Sequence, residues 1–335
     1  MDARPGCPFP LSVELPAVLE FTGEFGAEIN SFVPFVYWLY LAGLMQGRRI
    51  RTYPGMRPFY FYLHPGQIEE KQEARRYVHP LERPTWLPTR NDHASCRNAF
   101  ETFPDYRTAY GDSAFFASER PLLIVHNKFT IEWNRAPVNY FSPAVLERVF
   151  DTLADHFQIV YIRPGFAGTQ AGYSVDQQPD LPFGDTHVVR QFPNIWLLDD
   201  LVEGLRGVIS YNEIKLRLLA SSWFHLTVQG GNAHLAALFS GTLVTVLHRF
   251  GQEIRHTYRH GHFSYAANPA PTWLICRSEA EVANALPVLR NSRVVSGRAV
   301  PSSAHAAIVE RLSPDSQCGP DRMGLTDLPP KPIAA

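Results

Sequence analysis

From about residue 120 the chain alternates short apolar runs with amphipathic stretches in a steady rhythm. Residues 121–126 (PLLIVH) are apolar enough for a buried strand. Ser142-Pro143 then caps and starts a helix to about His156, with Val145, Leu146, Val149, Phe150 and Leu153 on one side. Residues 158–162 (QIVYI), 194–198 (NIWLL) and 224–228 (FHLTV) read as further buried strands, with Asn212 capping a helix through Leu219. A Gln229-Gly230-Gly231-Asn232 turn, a helix over 233–239 and a strand over 243–247 follow. Residues 273–276 form the last strand, and Ser278 caps a final helix with Glu279 and Glu281 in its first turn.

Strands separated by helices in this way imply a parallel sheet covered on both faces. Right-handed crossovers then gather the strand C-termini on one edge, where ligands bind such sheets. The expected exits are His126-Asn127-Lys128, Arg163-Pro164-Gly165, Asp199-Asp200, the QGGN turn and His248-Arg249, most of them strongly polar. In the first 120 residues, strands are expected over 17–22, 49–53 and 59–63, with 24–43 mainly helical, which makes a smaller α/β domain. The apolar run 29–45 contains Asn30, Ser31 and Pro34 and falls short of the ~20 residues of a membrane span. A buried or interface helix is expected there. From residue 300 the chain is rich in Pro, Ser, Asp and Ala, so 300–335 is expected as an irregular tail.

Composition narrows the function. With 45% hydrophobic and 19% charged residues the chain is globular, and a net charge of −1 gives no reason to expect a nucleic-acid partner. Nearly all cations are Arg, the lysines being Lys71, Lys128, Lys215 and Lys331. The cysteines Cys7, Cys96, Cys276 and Cys318 have no metal-site spacing and suit a reducing compartment. The N-terminus is acidic and proline-containing with no apolar h-region, so a cytoplasmic location is expected, with peripheral membrane contact left open.

Four places carry candidate chemistry. At Gln229–Asn232 glycines allow close backbone approach and the next helix opens with free N–H groups, which suits a phosphate. His234 sits just inside that helix. Glycine at such a turn also serves plain backbone geometry. The second place is Gly23-Glu24-Phe25-Gly26-Ala27-Glu28, a glycine-containing turn of the N-terminal domain. Glu24 and Glu28 share a helical face, and either carboxylate can serve as a general base or simply favour a helix N-terminus. At the third, Asn127 and Lys128, with Glu132-Trp133-Asn134 following, can grip a sugar or base while Lys128 and Arg163 neutralise phosphate. A surface Lys–Glu pair is the plainer alternative. Glu253, after the strand following QGGN, can accept ribose hydroxyls or be a solvated loop carboxylate. The chain has no GxxxxGK[ST], GxSxG, HExxH or GxGxxG element and no Asp-x-Asp. Asp199-Asp200 would diverge if extended, so no metal site is expected.

Two Rossmann-like halves, each with a glycine turn and no metal motif, resemble the GT-B glycosyltransferases. Residues 120–299 look like their nucleotide-sugar-binding domain, and 1–119, with GEFGAEIN, like their acceptor-side domain. The phrases HNKFTIEW, VYIRP and VQGGNAHLAALF are similar to an uncharacterised, distantly fucosyltransferase-like family, although the His-x-Arg-x-Gly-Asp element is absent. The resemblance implies two parallel sheets with an interdomain cleft and metal-independent sugar transfer from a nucleotide-sugar, as substrate, to a hydroxyl of a glycan or other acceptor. No separate cofactor is implied. Glu28 or Glu24 would be catalytic and Gly23 and Gly26 would form the acceptor-side loop. Asn127, Lys128, Arg163, Gln229, Gly230, Gly231, Asn232, His234 and Glu253 would bind donor. A pyruvyl transferase, a sugar-nucleotide epimerase or a non-catalytic nucleotide or glycan binder can use the same scaffold.

Overall fold

The computed structural model describes residues 14–73, 75, 84–87, 102–111, 116–131, 136–163, 181–249, 258 and 262–313. Strand β1 (Val18–Glu20) leads through the first glycine turn into a helical rod. The rod consists of α1 (Phe25–Ala27), a wider turn (Glu28–Phe32) and α2 (Val33–Leu41). Pro34 accounts for the wide turn. It has no N–H to return to the Asn30 carbonyl, and the Val33 N–H instead reaches back five residues to Glu28 O. The turn buries every residue from Glu28 to Phe32.

Strands β2 (Arg49–Thr52) and β3 (Ile68–Glu70) complete a parallel sheet of order β1-β2-β3. The strand expected over 59–63 does not form. Pro58 instead opens a tight helical turn (Arg57–Tyr60), burying the adjacent Phe59 and Tyr60 and leaving Phe61 exposed. Hydroxyls from α3 (Tyr106–Tyr110) take up the carbonyls a sheet would have used: Tyr106 donates to Phe59 O and Tyr110 to Pro58 O.

The second half follows the expected rhythm: β4 (Leu122–His126), α4 (Pro143–Leu153), β5 (Gln158–Ile162), α5 (Asp185–Arg190), β6 (Trp196–Leu197), α6 (Leu198–Gly204), α7 (Tyr211–Ser221), β7 (Phe224–Val228), α8 (Gly231–Ala236) and β8 (Leu243–Leu247). Then come α9 (His262–Tyr265), β9 (Thr272–Cys276), α10 (Glu279–Arg290), the hairpin β10 (Arg293–Val295) and β11 (Arg298–Val300), and α11 (Ala306–Leu312). Six parallel strands lie in the order β6-β5-β4-β7-β8-β9. The winding direction reverses between β4 and β7, so a crevice opens at their C-terminal ends.

Ser142 and Ser278 cap α4 and α10 as expected, accepting from Val145 N and Glu281 N. Several boundaries differ. Ser210, not Asn212, caps α7, and the buried Asn212 donates its amide to Gly55 O across the two halves. The third strand is a two-residue edge, because Leu198 already opens α6; Asp199 and Asp200 are therefore helical rather than extended. Helix α8 starts on Gly231 itself. The expected tail contains α11, whose Leu312 is buried with Val282, Leu286 and Leu274; residues 314–335 lie outside the described set.

One apolar core joins the halves. Ile124, Val160, Ile162, Val244, Val246 and Ile275 on one sheet face share a cluster with Phe21, Phe32, Phe35 and Phe59 and with α7 and α8. The opposite face packs separately against α4 and α10. Among the described residues, no helix is long and apolar enough to cross a membrane.

Candidate functional site

At the sheet reversal the exits of β4 and β7 lie side by side. Gly230 has φ +135° and ψ −162°, a conformation a side chain would strain. A Cβ built on it would stand 2.7 Å from Lys128 Nζ, so the half-buried Lys128 lays its ammonium across the turn. The first N–H groups of α8, including those of Gly231 and Asn232, have no acceptor within the helix.

The turn from the first half meets the same place. A Cβ on Gly231 would lie 3.0 Å from the Phe25 ring and 3.7 Å from Gly26 N. Reciprocally, one on Gly26 would lie 3.7 Å from Gly231 Cα and 3.6 Å from His234 Nδ1. The two glycine turns are thus neighbours, and the tight position is 231, where a side chain would crowd the Phe25 ring, whereas a methyl at 26 would make ordinary contacts. Gly23, with φ +139°, holds the first turn open; its N–H donates to Tyr53 OH and its carbonyl accepts from Arg75.

The two N-domain carboxylates differ in environment. Glu28 is fully buried: its Oε1 accepts from Tyr60 OH at 2.7 Å and from Thr52 Oγ1, and its Oε2 pairs with buried Arg75 at 2.6 Å. The wide turn created by Pro34 aims this carboxylate into the sheet rather than at the cleft, which disfavours the expected catalytic role for Glu28. Glu24, at the cap of α1, is exposed.

Other expected donor residues are held by the fold. Asn127 is fully buried; it donates to Phe141 O and Tyr161 OH and accepts from the Lys128 and Phe141 N–H groups, fixing the loop after β4. Arg163 pairs at 2.6 Å with fully buried Asp185, which also accepts from Tyr161. These bonds give both residues a structural task beside the crevice. Gln229 is buried and accepts from Tyr258 OH at 2.6 Å, and Tyr258 stacks on Phe263. His234 contacts Asn30 Nδ2 through Nδ1 and meets Phe263 edge-on, bridging the wide turn to α8. Glu253 and Glu132-Trp133-Asn134 lie outside the described residues.

Under the turn lies a polar cluster that sequence reasoning missed. Lys215, on α7, is fully buried and donates to Asn232 Oδ1 at 3.0 Å, with its ammonium 5.6 Å from the Phe25 ring. Desolvation pushes its pKa down to about 7. His126 and His225 are fully buried on β4 and β7; both His126 ring nitrogens lack a hydrogen-bond partner, while His225 sits beside the Ser222 and Leu219 backbone. Burial lowers His225 to about 3 and takes His126 well below the usual histidine range, helped by Lys215 and His225 nearby. The available signal was the pattern of α7: YNEIKLRLLAS places Lys215 among apolar residues that a one-sided helix would not need. Among the described residues, no group of three or more His, Cys, Asp or Glu side chains could hold a metal ion.

No family model matches the chain, and no curated protein sequence does. Among solved structures it is similar to the glycosyl transferase family 9 protein from Veillonella parvula DSM 2008, with 11% identity and a TM-score of 0.42, over 84% of this chain and 90% of that one. It is also similar to the wall teichoic acid polymerase TagF, with 11% identity and a TM-score of 0.29, over 76% of this chain and 52% of that one. At these values neither likeness assigns a substrate or a residue role, and the functional reading rests on the site.

Proposed function

We propose that this chain is a glycosyltransferase that moves a sugar from a nucleotide-sugar to an acceptor hydroxyl at the meeting of its two halves, with lysine charge rather than a metal ion offsetting the leaving diphosphate. The observation that carries this reading is the Lys128 ammonium lying across Gly230 at the sheet reversal, where the Gly23–Gly26 turn of the other half abuts Gly231. A diphosphate there meets a cation and the first N–H groups of α8, preorganised donors of the kind that stabilise charge developing on a leaving group.

In this reading the acceptor oxygen bonds to the anomeric carbon, the bond from that carbon to the diphosphate oxygen breaks, and the diphosphate leaves with the electron pair. Glu24 takes the hydroxyl proton, since it is the exposed carboxylate two residues before Gly26. Glu28 supports it indirectly, by anchoring Arg75, which in turn holds the Gly23 carbonyl.

A thermal-shift screen of UDP- and GDP-sugars tests donor binding, because a ligand bound only by the native state raises the melting temperature. Product analysis then separates sugar transfer from epimerisation or pyruvyl transfer. Glu24→Gln should keep donor binding and lose turnover, while Lys128→Ala should weaken binding of the diphosphate. Absence of both binding and donor hydrolysis across the panel, with or without added metal, would end the proposal.

A further inference from the structure

We propose that Lys215 is a positioning residue that fixes the side-chain amide of Asn232 so that its NH2 group, and not its oxygen, is presented to the donor diphosphate. This rests on the glycosyl-transfer reading and adds a residue to it.

An asparagine amide offers an acceptor at one end and two donors at the other, and the two ends are nearly isosteric. Only its hydrogen-bond partners decide which end faces a ligand. In its ammonium form Lys215 Nζ has no lone pair and can only donate, and it stands 3.0 Å from Asn232 Oδ1. The oxygen is therefore turned inward toward α7, and the NH2 end is left for the half-buried side of the QGGN turn. An inverted amide would set NH2 against ammonium and point an oxygen lone pair at an anion, which repels on both sides.

The arrangement is demanding for the fold. Lys215 is fully buried, beside the Phe25 ring from α1 and close to His126 on β4, which itself lies near His225 on β7. A methionine of similar length would fill the site without a charge to desolvate, and replacing buried charge by packed apolar groups is often neutral or stabilising. A buried ammonium beneath a ligand-facing turn thus works against stability while favouring a function, a recognised trade-off. The predicted signature is stability and binding moving in opposite directions.

The test compares the parent with Lys215→Met, Asn232→Ala and the double variant. Binding of UDP, GDP and inorganic pyrophosphate is measured by calorimetry and unfolding by urea titration. Each single change should weaken binding about tenfold, as expected for a charge-assisted hydrogen bond. The double variant should be little worse than either single, because both act through one amide. Lys215→Met should unfold at the same or higher urea concentration than the parent. Without any ligand, the Asn232 side-chain amide resonances should shift in Lys215→Met. Unchanged amide resonances, unchanged binding in Lys215→Met, or fully additive losses would each overturn the role. A parent that binds none of the three probes would overturn the glycosyl-transfer reading along with it, whereas a parent that binds while Lys215→Met binds equally well overturns this role alone.

Discussion

Mild acid should destabilise this protein before its carboxylates begin to titrate. His126 and His225 are fully buried, and the desolvation cost of a buried imidazolium keeps both neutral in the native state. The unfolded chain protonates them near the ordinary value of about 6.5. As pH falls through that value the unfolded state binds more protons than the native state, and unfolding becomes easier. With His225 lowered to about 3 in the native state, going from neutral pH to pH 5 should remove roughly 2 kcal/mol through this residue alone. His126, lowered in the same direction, adds to the loss. Lys215 contributes little in this window: its native value of about 7 against the usual lysine range places its effect on the alkaline side, where stability should rise with pH. Urea unfolding at pH 7, 6 and 5 measures the slope, and His225→Leu, which cannot protonate, should lose about half of it. A flat profile between pH 7 and 5, or a His225→Leu slope equal to the parent's, would show that the imidazoles are not held neutral as described.

Three further outcomes follow from the packing. Glu28→Gln should leave the Arg75 guanidinium buried without its carboxylate and lower stability by about 3–5 kcal/mol in urea unfolding, while adding Arg75→Met should return part of that loss. Arg107, reaching from α3 to the Ser240, Ala220 and Ser222 carbonyls, should cost about 2–3 kcal/mol when replaced by Ala, read by the same assay, because three acceptors of the second half lose a charged donor. Gly231→Ala places a methyl 3.0 Å from the Phe25 ring and should destabilise by about 1–3 kcal/mol, with Phe25→Leu in the same chain relieving it; an unaffected melting temperature in Gly231→Ala would contradict the close approach of the turns.

The second half was legible because its strands are continuous apolar runs bounded by polar caps. Leu122–His126, Gln158–Ile162 and Phe224–Val228 are buried along their whole lengths, so no choice of face was needed to recognise them. The first half was harder. Its third strand, Ile68–Glu70, has one apolar residue in three, while the aromatic run beginning at Phe59 imitates a strand and is folded by Pro58 into a turn. The QGGN turn and Lys128 could be singled out because glycine and an infrequent lysine stand at strand ends. Glu28 was legible as a conspicuous acid but not as a buried one: its partner Arg75 lies 47 residues away, and no local pattern announces that pair. Lys215 had a local signal in its apolar neighbours on α7, but its burial is decided by α1 and the β4–β7 face packing over that helix.

The close approach of Phe25 to Gly231 also limits how the chain can be recombined. Two halves with separate sheets look like interchangeable modules, but the residue allowed at 231 depends on the one at 25. A chimaera that takes either half from a different protein must carry both turns as a matched set, or the halves will seat at a different distance and the crevice above Gly230 will change its width.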